Sequence, residues 1–154
     1  MSEIMGKSLN SAVMDLFEKK IATGILATVN QDATPHTSPM NLMVAPDPKH
    51  IYLAIARNSQ TLANIRLHEP AALALLDEGN IAVCIKGLAK VIKENMDANY
   101  NLAVIALGVA EVKNDASPQF LVVQGVRTRH SSETGLLSIK KVFTELLSLY
   151  RTGD

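Results

Sequence analysis

Helical spacing of the hydrophobic residues is limited to three segments of the chain. Apolar side chains recur every three or four residues from Leu9 to Phe17, which predicts a helix that ends before Gly24. A short helix is predicted over residues 59–68, because Pro70 must end it. A C-terminal amphipathic helix is predicted by the spacing of Ile139, Val142, Phe143, Leu146 and Tyr150.

Between these helices the apolar runs are short and are bounded by turn residues, which predicts strands. The predicted strands cover residues 25–30, 34–45, 51–56, 71–76, 81–92, 102–112 and 120–127. Pro35 and Pro39 lack an N–H group, so the second strand should be irregular, bulged or at a sheet edge. The continuous apolar run 71–76 predicts a strand that is covered on both faces. The whole pattern favours a mainly β domain with flanking helices, whose antiparallel sheet curls into a barrel.

Composition narrows the class of protein. At 154 residues the chain is most simply one domain, residues 1–154, and 47% hydrophobic residues indicate a globular core. A formal net charge of +0 gives no general attraction to nucleic acid or acidic membranes, and 4% aromatic residues argue against a base-stacking platform. Cys84 is the single cysteine, so no internal disulfide can form and a reducing cytoplasm fits best. No segment is apolar over the length that a bilayer requires.

Several catalytic motifs are missing from the sequence. The four histidines show no metal-ligand spacing, so no metal site is expected. No serine lies in a G-x-S-x-G elbow, and neither the G-x-G-x-x-G fingerprint nor the P-loop pattern occurs. A bound nucleotide would therefore need another kind of site.

The transition from the third strand to the short helix is the best candidate for such a site. Its residues are Arg57, Asn58, Ser59, Gln60 and Thr61. A helix N-terminus offers N–H groups and the positive end of the helix dipole, and hydroxyl, amide and guanidinium groups suit phosphate oxygens. The segment predicts an anion site, although Ser59 or Asn58 acting only as a helix N-cap accounts for the same residues.

Five segments, read together, resemble the FMN-binding split-barrel family related to pyridoxamine 5'-phosphate oxidase. They are GILATVN at 24–30, PHTSPM at 35–40, IYLAIARNSQTLANI at 51–65, AALALL at 71–76 and VCIKGLA at 83–89. Their order and spacing cover about half of the chain, roughly residues 20 to 92. The resemblance implies a six-stranded antiparallel split barrel that forms a homodimer with two FMN molecules at the interface.

The resemblance also implies which residues bind the flavin. The phosphate would lie at Arg57–Thr61 and Asn64, and the ring would lie along Ser38, Pro39, Met40 and Asn41. Many relatives have a Lys or Arg in the phosphate loop where this chain has Gln60 and Thr61, and Lys86 could compensate or be a surface lysine. The basic residues Arg127, Arg129 and His130 would form a solvated rim or reach the partner's flavin.

The function implied by the resemblance is flavin-dependent redox chemistry on a small molecule whose identity the sequence does not give. Because the flavin carries the hydride or electrons, no acid–base pair of side chains is required. Three alternatives share the fold: a deazaflavin-dependent reductase, a non-catalytic flavin or haem carrier, and a structural barrel with an empty site. The extra C-terminal segment that binds substrate in true pyridoxamine phosphate oxidases is not apparent.

Overall fold

The computed structural model describes residues 2–149, and these residues form an eight-stranded sheet and three helices. The strands are β1 (Glu3–Gly6), β2 (Gly24–Val29), β3 (Pro35–Met40), β4 (Met43–Asp47), β5 (His50–Ala56), β6 (Pro70–Asp77), β7 (Ile81–Lys93) and β8 (Leu102–Asn114). The helices are α1 (Ser11–Lys19), α2 (Gln60–Leu67) and α3 (Glu133–Leu149). Tyr150, which the sequence pattern placed in the last helix, lies outside the described residues.

The order of the strands shows that the sheet curls into a barrel. The path is β3-β2-β6-β7-β8-β5-β4, with β1 added to β8, and all the pairings are antiparallel. β3 and β4 are opposite edges of this path, yet only Asn41 and Leu42 separate them along the chain. Three Cα–Cα steps span at most about 11 Å, so the two edges must approach each other. Since β3 and β4 are not paired, the barrel is split, as predicted, but with eight strands instead of six.

The main core fills the inside of this barrel. Side chains that point inward are fully buried, as in Leu26 on β2, Leu73 on β6 and Ile85 on β7. The helices α1 and α2 add Val13 and Leu62 to the same cluster. Alternation of side chains along each strand thus places one face of every strand in this core.

A second cluster covers part of the outside of the barrel. On α3, Val142 and Leu146 pack against Val44, Ala54 and Val104 of three neighbouring strands. This cluster lies over β4, β5 and β8, which are adjacent in the sheet. The outer face of β2, β6 and β7 lies on the other half of the barrel.

The prediction that residues 71–76 are covered on both faces is wrong for the described chain. Leu73 and Leu75 are buried, but the side chain of Leu76 is 59% exposed and Ala74 is exposed as well. The strand alternates because only its inner face meets the core, whereas α3 packs over the other half of the sheet. An uninterrupted apolar run therefore leaves apolar side chains on the outer surface.

Other boundaries also differ from the sequence-based prediction. The predicted strand 34–45 divides at Asn41 into two edge strands, and the expectation that Pro35 and Pro39 lie on an edge strand is confirmed. α3 begins at Glu133, before the apolar spacing that predicted it, and β1 was not predicted. The remaining predicted helices and strands before residue 114 occur close to their expected bounds.

The predicted strand 120–127 is wrong, because this segment has no regular secondary structure. The backbone of Val122 instead pairs with Asn80 in the β6–β7 turn. Its N–H group donates to the Asn80 side chain at 3.0 Å, and its carbonyl accepts from the Asn80 N–H at 3.1 Å. We call residues 115–132 the strap, because they connect the end of β8 to α3.

Candidate functional site

The start of α2 has the geometry of a capped helix N-terminus. The Ser59 hydroxyl accepts a hydrogen bond from the Leu62 N–H at 3.2 Å and donates to the Ala56 carbonyl at 2.7 Å. The interpretation of Ser59 as an N-cap is therefore confirmed. The first-turn N–H groups of Gln60 and Thr61 have no acceptor within the helix, as in any α-helix. Gln60 is exposed, so its N–H group can bind an anion at this turn, whereas Thr61 is buried.

Asn64 holds α2 against the barrel. It is completely buried, and its Nδ2 donates to Thr28 Oγ1 at 3.1 Å and to Asn30 Oδ1 at 2.9 Å. Its Oδ1 accepts from Gln60 Nε2 at 2.8 Å. Both donors of Asn64 are thus used on β2 and the loop after it, so Asn64 positions the helix and Gln60 instead of facing solvent.

Arg57 lies exposed before α2. Its guanidinium carbon is 5.2 Å from the centre of the Tyr100 ring, and its backbone N–H donates to the Asn101 carbonyl at 2.9 Å. Such a cation–π contact restricts the side chain while leaving the N–H donors of the guanidinium at the surface. Asn58 is exposed beside it, whereas Thr61 is buried.

Lys86 lies on the other face of the sheet. It pairs in register with Ala72 of β6 and Glu111 of β8, and its Nζ is 3.7 Å from Glu111 Oε1. Asn64, by contrast, contacts Thr28, which is buried on the inner face. Within one chain, the fold does not bring Lys86 to the Arg57–Thr61 turn.

The four predicted ring contacts lie at the end of edge strand β3. Ser38 and Met40 are in register with Leu26 and Gly24 of β2, so their side chains point toward the inner face. Pro39 points outward and is exposed, and Asn41 is exposed just after the strand. In the described part of the chain β3 pairs with β2 alone, so the backbone on its other side can accept a ligand.

The turn at the start of α2, residues 57–61, which we call the α2 turn, lies at one end of β3, and the predicted ring contacts lie at the other end. The helix is fixed to Thr28, which pairs with His36 near the start of β3. From His36 to Asn41 a strand extends about 16 Å, at roughly 3.3 Å per residue. The fold therefore places the N-terminus of α2 near one end of β3 and the predicted ring contacts at the other end.

The strap approaches the barrel at Asp77, a residue that the sequence did not single out. The Asp77 carboxylate is buried, and it accepts hydrogen bonds from Lys20 Nζ at 2.9 Å, from the Glu78 N–H at 2.7 Å and from the Gly125 N–H. Burial raises the pKa of Asp77, but these hydrogen bonds outweigh it and hold the pKa below its ordinary value. Asp77 is therefore a charged anchor for the strap.

Two cavities lie beneath the strap. The first, of about 420 Å³, is lined by Lys20, Asp77, Glu78 and Arg127 among other residues. The second, of about 210 Å³, is lined by Ile21, Asn41, Leu42, Thr128, Arg129, His130, Ser131, Gly135 and Ile139. Arg127 thus lies with acidic residues and Arg129 lies with Asn41, while His130 lines both cavities. No local pattern predicts this proximity, since the strap and β3 are far apart in sequence.

The family comparison matches most of the barrel. A family model described as pyridoxamine 5'-phosphate oxidase matches residues 11–129, which is more than half of the chain. The comparison with curated proteins gives no match. Among the described helices, none has the length and apolar character needed to span a membrane.

Solved structures with the same fold include proteins described in different terms. A candidate pyridoxamine 5'-phosphate oxidase from Lactobacillus delbrueckii is 25% identical and has a TM-score of 0.62, with 73% of this chain and 98% of that chain covered. HupZ from group A Streptococcus is 18% identical with a TM-score of 0.61, over 77% of this chain and 99% of that one. An F420 reductase is 16% identical with a TM-score of 0.52, over 64% and 94%. The latter two are similar to this chain in fold alone.

Proposed function

Because this chain belongs to the pyridoxamine 5'-phosphate oxidase family, we propose that it binds FMN and acts as a flavin-dependent oxidoreductase on a small molecule in the cytoplasm. The observation that carries the proposal is the arrangement along β3. The capped N-terminus of α2, whose first-turn N–H groups can bind an anion, lies at one end of this strand, and the open edge with Ser38, Pro39, Met40 and Asn41 lies at the other. An extended FMN molecule likewise has a charged phosphate at one end and a planar ring at the other.

At the turn, the phosphate is bound by the Gln60 N–H group together with Arg57 and Asn58, which are all exposed, and the buried Thr61 lies behind them. The helix dipole and the Arg57 guanidinium both favour an anion, and Arg57 is already placed by Tyr100. Neutral donors here replace the basic side chain that many relatives have. The N-cap hydrogen bond of Ser59 and the buried hydrogen bonds of Asn64 hold this turn in place.

At the other end, the ring lies along Ser38, Pro39, Met40 and Asn41. A proline on an edge strand occupies a position whose nitrogen faces away from the neighbouring strand. The backbone nitrogen atoms of residues 35, 37 and 39 all point away from β2. Thr37 therefore presents an N–H group on the open edge of β3, between the two prolines. When bound, FMN supplies hydride or electron transfer, and the protein supplies binding and orientation.

A second copy of the chain completes the site in this proposal. One chain alone leaves the β3 edge open, so a ring lying there would be exposed on one side. The outer face of β2, β6 and β7 presents Ile25, Leu76 and Leu88, which are each more than 40% exposed. Exposed apolar residues on one face of a sheet can contribute to a protein–protein interface. We therefore propose a homodimer that buries this face and encloses two flavins.

The alternatives differ in the bound group. The F420 reductase shares the fold, so a deazaflavin with its own phosphate group would use the same turn. A haem or flavin carrier without catalysis is the other alternative on this fold. A visible spectrum of the purified protein separates flavin bands, a deazaflavin band and a haem Soret band.

The phosphate turn is tested by comparing Ser59→Asp with Ser59→Asn. Both residues are good N-caps, so both variants should keep the stability of α2. Only Ser59→Asp adds a negative charge beside the proposed phosphate. We expect Ser59→Asp to weaken FMN about tenfold or more relative to Ser59→Asn, because two like charges a few ångströms apart near a protein surface repel each other by roughly 2–4 kcal/mol.

Riboflavin, which has no phosphate, is the control ligand. Its affinity should be the same in the two variants within about twofold, since it places no charge at the turn. Fluorescence titration of both ligands gives the four affinities. If FMN and riboflavin lose the same affinity, the turn is not the phosphate site. If wild type binds neither flavin, the proposed function fails as a whole.

A further inference from the structure

We propose that the 210 Å³ cavity between the strap and the β3–β4 link binds the anionic group of the substrate, a small carboxylate or phosphate. The substrate assignment rests on the proposed flavin function, whereas the anion site itself does not. No sequence motif marks this cavity, because its walls come from four separate parts of the chain. They are the link between α1 and β2, the β3–β4 link, the strap and the first half of α3.

The polar lining of this cavity favours an anion. Its polar lining residues are Arg129, Asn41, Thr128, His130 and Ser131. No carboxylate is among its lining residues. An oxyanion would therefore meet hydrogen-bond donors and a positive charge without competition from an internal acid.

The neighbouring cavity provides a natural contrast. There Arg127 lies with Asp77 and Glu78, and Lys20 already forms ion pairs with both carboxylates at 2.9 Å and 2.7 Å. The positive and negative side chains that line this neighbouring cavity are thus largely balanced. Two arginines only two residues apart on the strap face different electrostatic surroundings, and only Arg129 lies in a cavity without acids.

The apolar floor and the size of the cavity limit the ligand. Ile21, Leu42 and Ile139 provide its apolar surface. Drug-sized ligands occupy about 300–1,000 Å³, and this cavity of about 210 Å³ is smaller. It suits a carboxylate or phosphate group with a few carbon atoms.

The position of Asn41 connects the cavity to the proposed flavin. Asn41 is both a lining residue of the cavity and the last of the proposed ring contacts. An anion bound by Arg129 would hold the rest of a small substrate beside the ring. Binding of the charged group thus positions the substrate, and no chemical step is assigned to Arg129.

The test is a titration of the uniformly ¹⁵N-labelled, flavin-free protein with inorganic phosphate and, separately, with acetate. We expect one or both anions to shift the amide resonances of Asn41 and residues 128–131. The anion that shifts them at the lower concentration identifies the preferred group. Phosphate shifts at residues 58–61 report the separate α2 turn, so the two sites are distinguished in one spectrum.

Arg129→Gln and Arg127→Gln form a matched pair with the same change in charge, two residues apart. We expect Arg129→Gln to weaken anion binding in the cavity about tenfold or more, and Arg127→Gln to change it by less than about twofold. FMN affinity should remain near wild type in both variants. Absence of shifts at Asn41 and residues 128–131, or an equal loss in both variants, would overturn the proposal. A failure to bind FMN with the anion site intact would reject the flavin function alone.

Discussion

Gly125 lies so close to Asp77 that the strap has no room for a side chain at this position. A Cβ atom on residue 125 would be 2.7 Å from Asp77 Cγ and 2.6 Å from the Leu76 carbonyl oxygen. The close approach allows the Gly125 N–H to donate to the Asp77 carboxylate. This contact fixes the strap on the end of the β6–β7 hairpin, upstream of the residues that line both cavities.

Gly125→Ala should destabilise the protein by about 1–3 kcal/mol, because the added methyl group must displace backbone or a buried carboxylate. Thermal or urea unfolding measures the loss. Gly108→Ala is the control, since a Cβ at this position would have its nearest contact at 3.7 Å, an ordinary distance. Equal stability of wild type and Gly125→Ala would show that the strap is not held at Asp77.

Asp77 should make stability depend on pH in the acid range. Its pKa is lowered in the folded state, so it contributes stability above the unfolded value of about 3.9. This contribution is lost as the pH falls through the folded pKa. Asp77→Asn should therefore be less stable than wild type at neutral pH, and the difference should shrink on acidification.

Asp97→Asn is the matched control for this pH dependence. The Asp97 side chain is 89% exposed and forms only a surface ion pair with Lys93, and such pairs contribute about 0–1 kcal/mol. Urea unfolding of the three proteins from neutral pH to about pH 3 compares the slopes. A stability difference for Asp77→Asn that stays constant over this range would contradict the assigned role.

Asn64→Ala should lower both stability and FMN affinity. The substitution leaves the buried Thr28 hydroxyl and the Asn30 amide without a partner on α2, at a cost of about 1–3 kcal/mol. It also releases Gln60, which presents one of the proposed phosphate donors. Gln119→Ala removes an exposed amide elsewhere and should change neither quantity. If the Asn64→Ala protein is destabilised but keeps full FMN affinity, then Asn64 anchors the helix without contributing to the flavin site.

Leu76→Glu should convert the proposed homodimer into a monomer. Leu76 is 59% exposed on the outer face of β6 in the single chain. In the proposed dimer this face is buried, so the carboxylate of the variant would be buried without a partner. Leu137→Glu, at a residue 60% exposed on α3, is the control and should remain dimeric. Sedimentation at micromolar concentration measures both. A wild-type monomer that binds FMN tightly would reject the proposed dimer.

Local sequence determined most of the secondary structure. Hydrophobic period and turn residues predicted α1, α2, β5 and the long strands β7 and β8, because these signals act between neighbours in the chain. Asn10 caps α1 and Ser59 caps α2, as expected for side chains that compete for backbone N–H groups. The two prolines in β3 likewise indicated an irregular, bulged or edge strand, since each lacks a donor for a ladder, and the structure shows the edge position.

Only the tertiary structure decided which surfaces those elements cover. The run 71–76 is uniformly apolar, so nothing in it tells which face meets the core, and α3 packs elsewhere. The segment 120–127 has the composition of a strand, but its backbone hydrogen bonds go to Asn80 and Asp77. The proximity of Arg129 to Asn41 depends on the path of the strap around the barrel. Local patterns carry no information on such contacts, because they arise between residues that folding alone brings together.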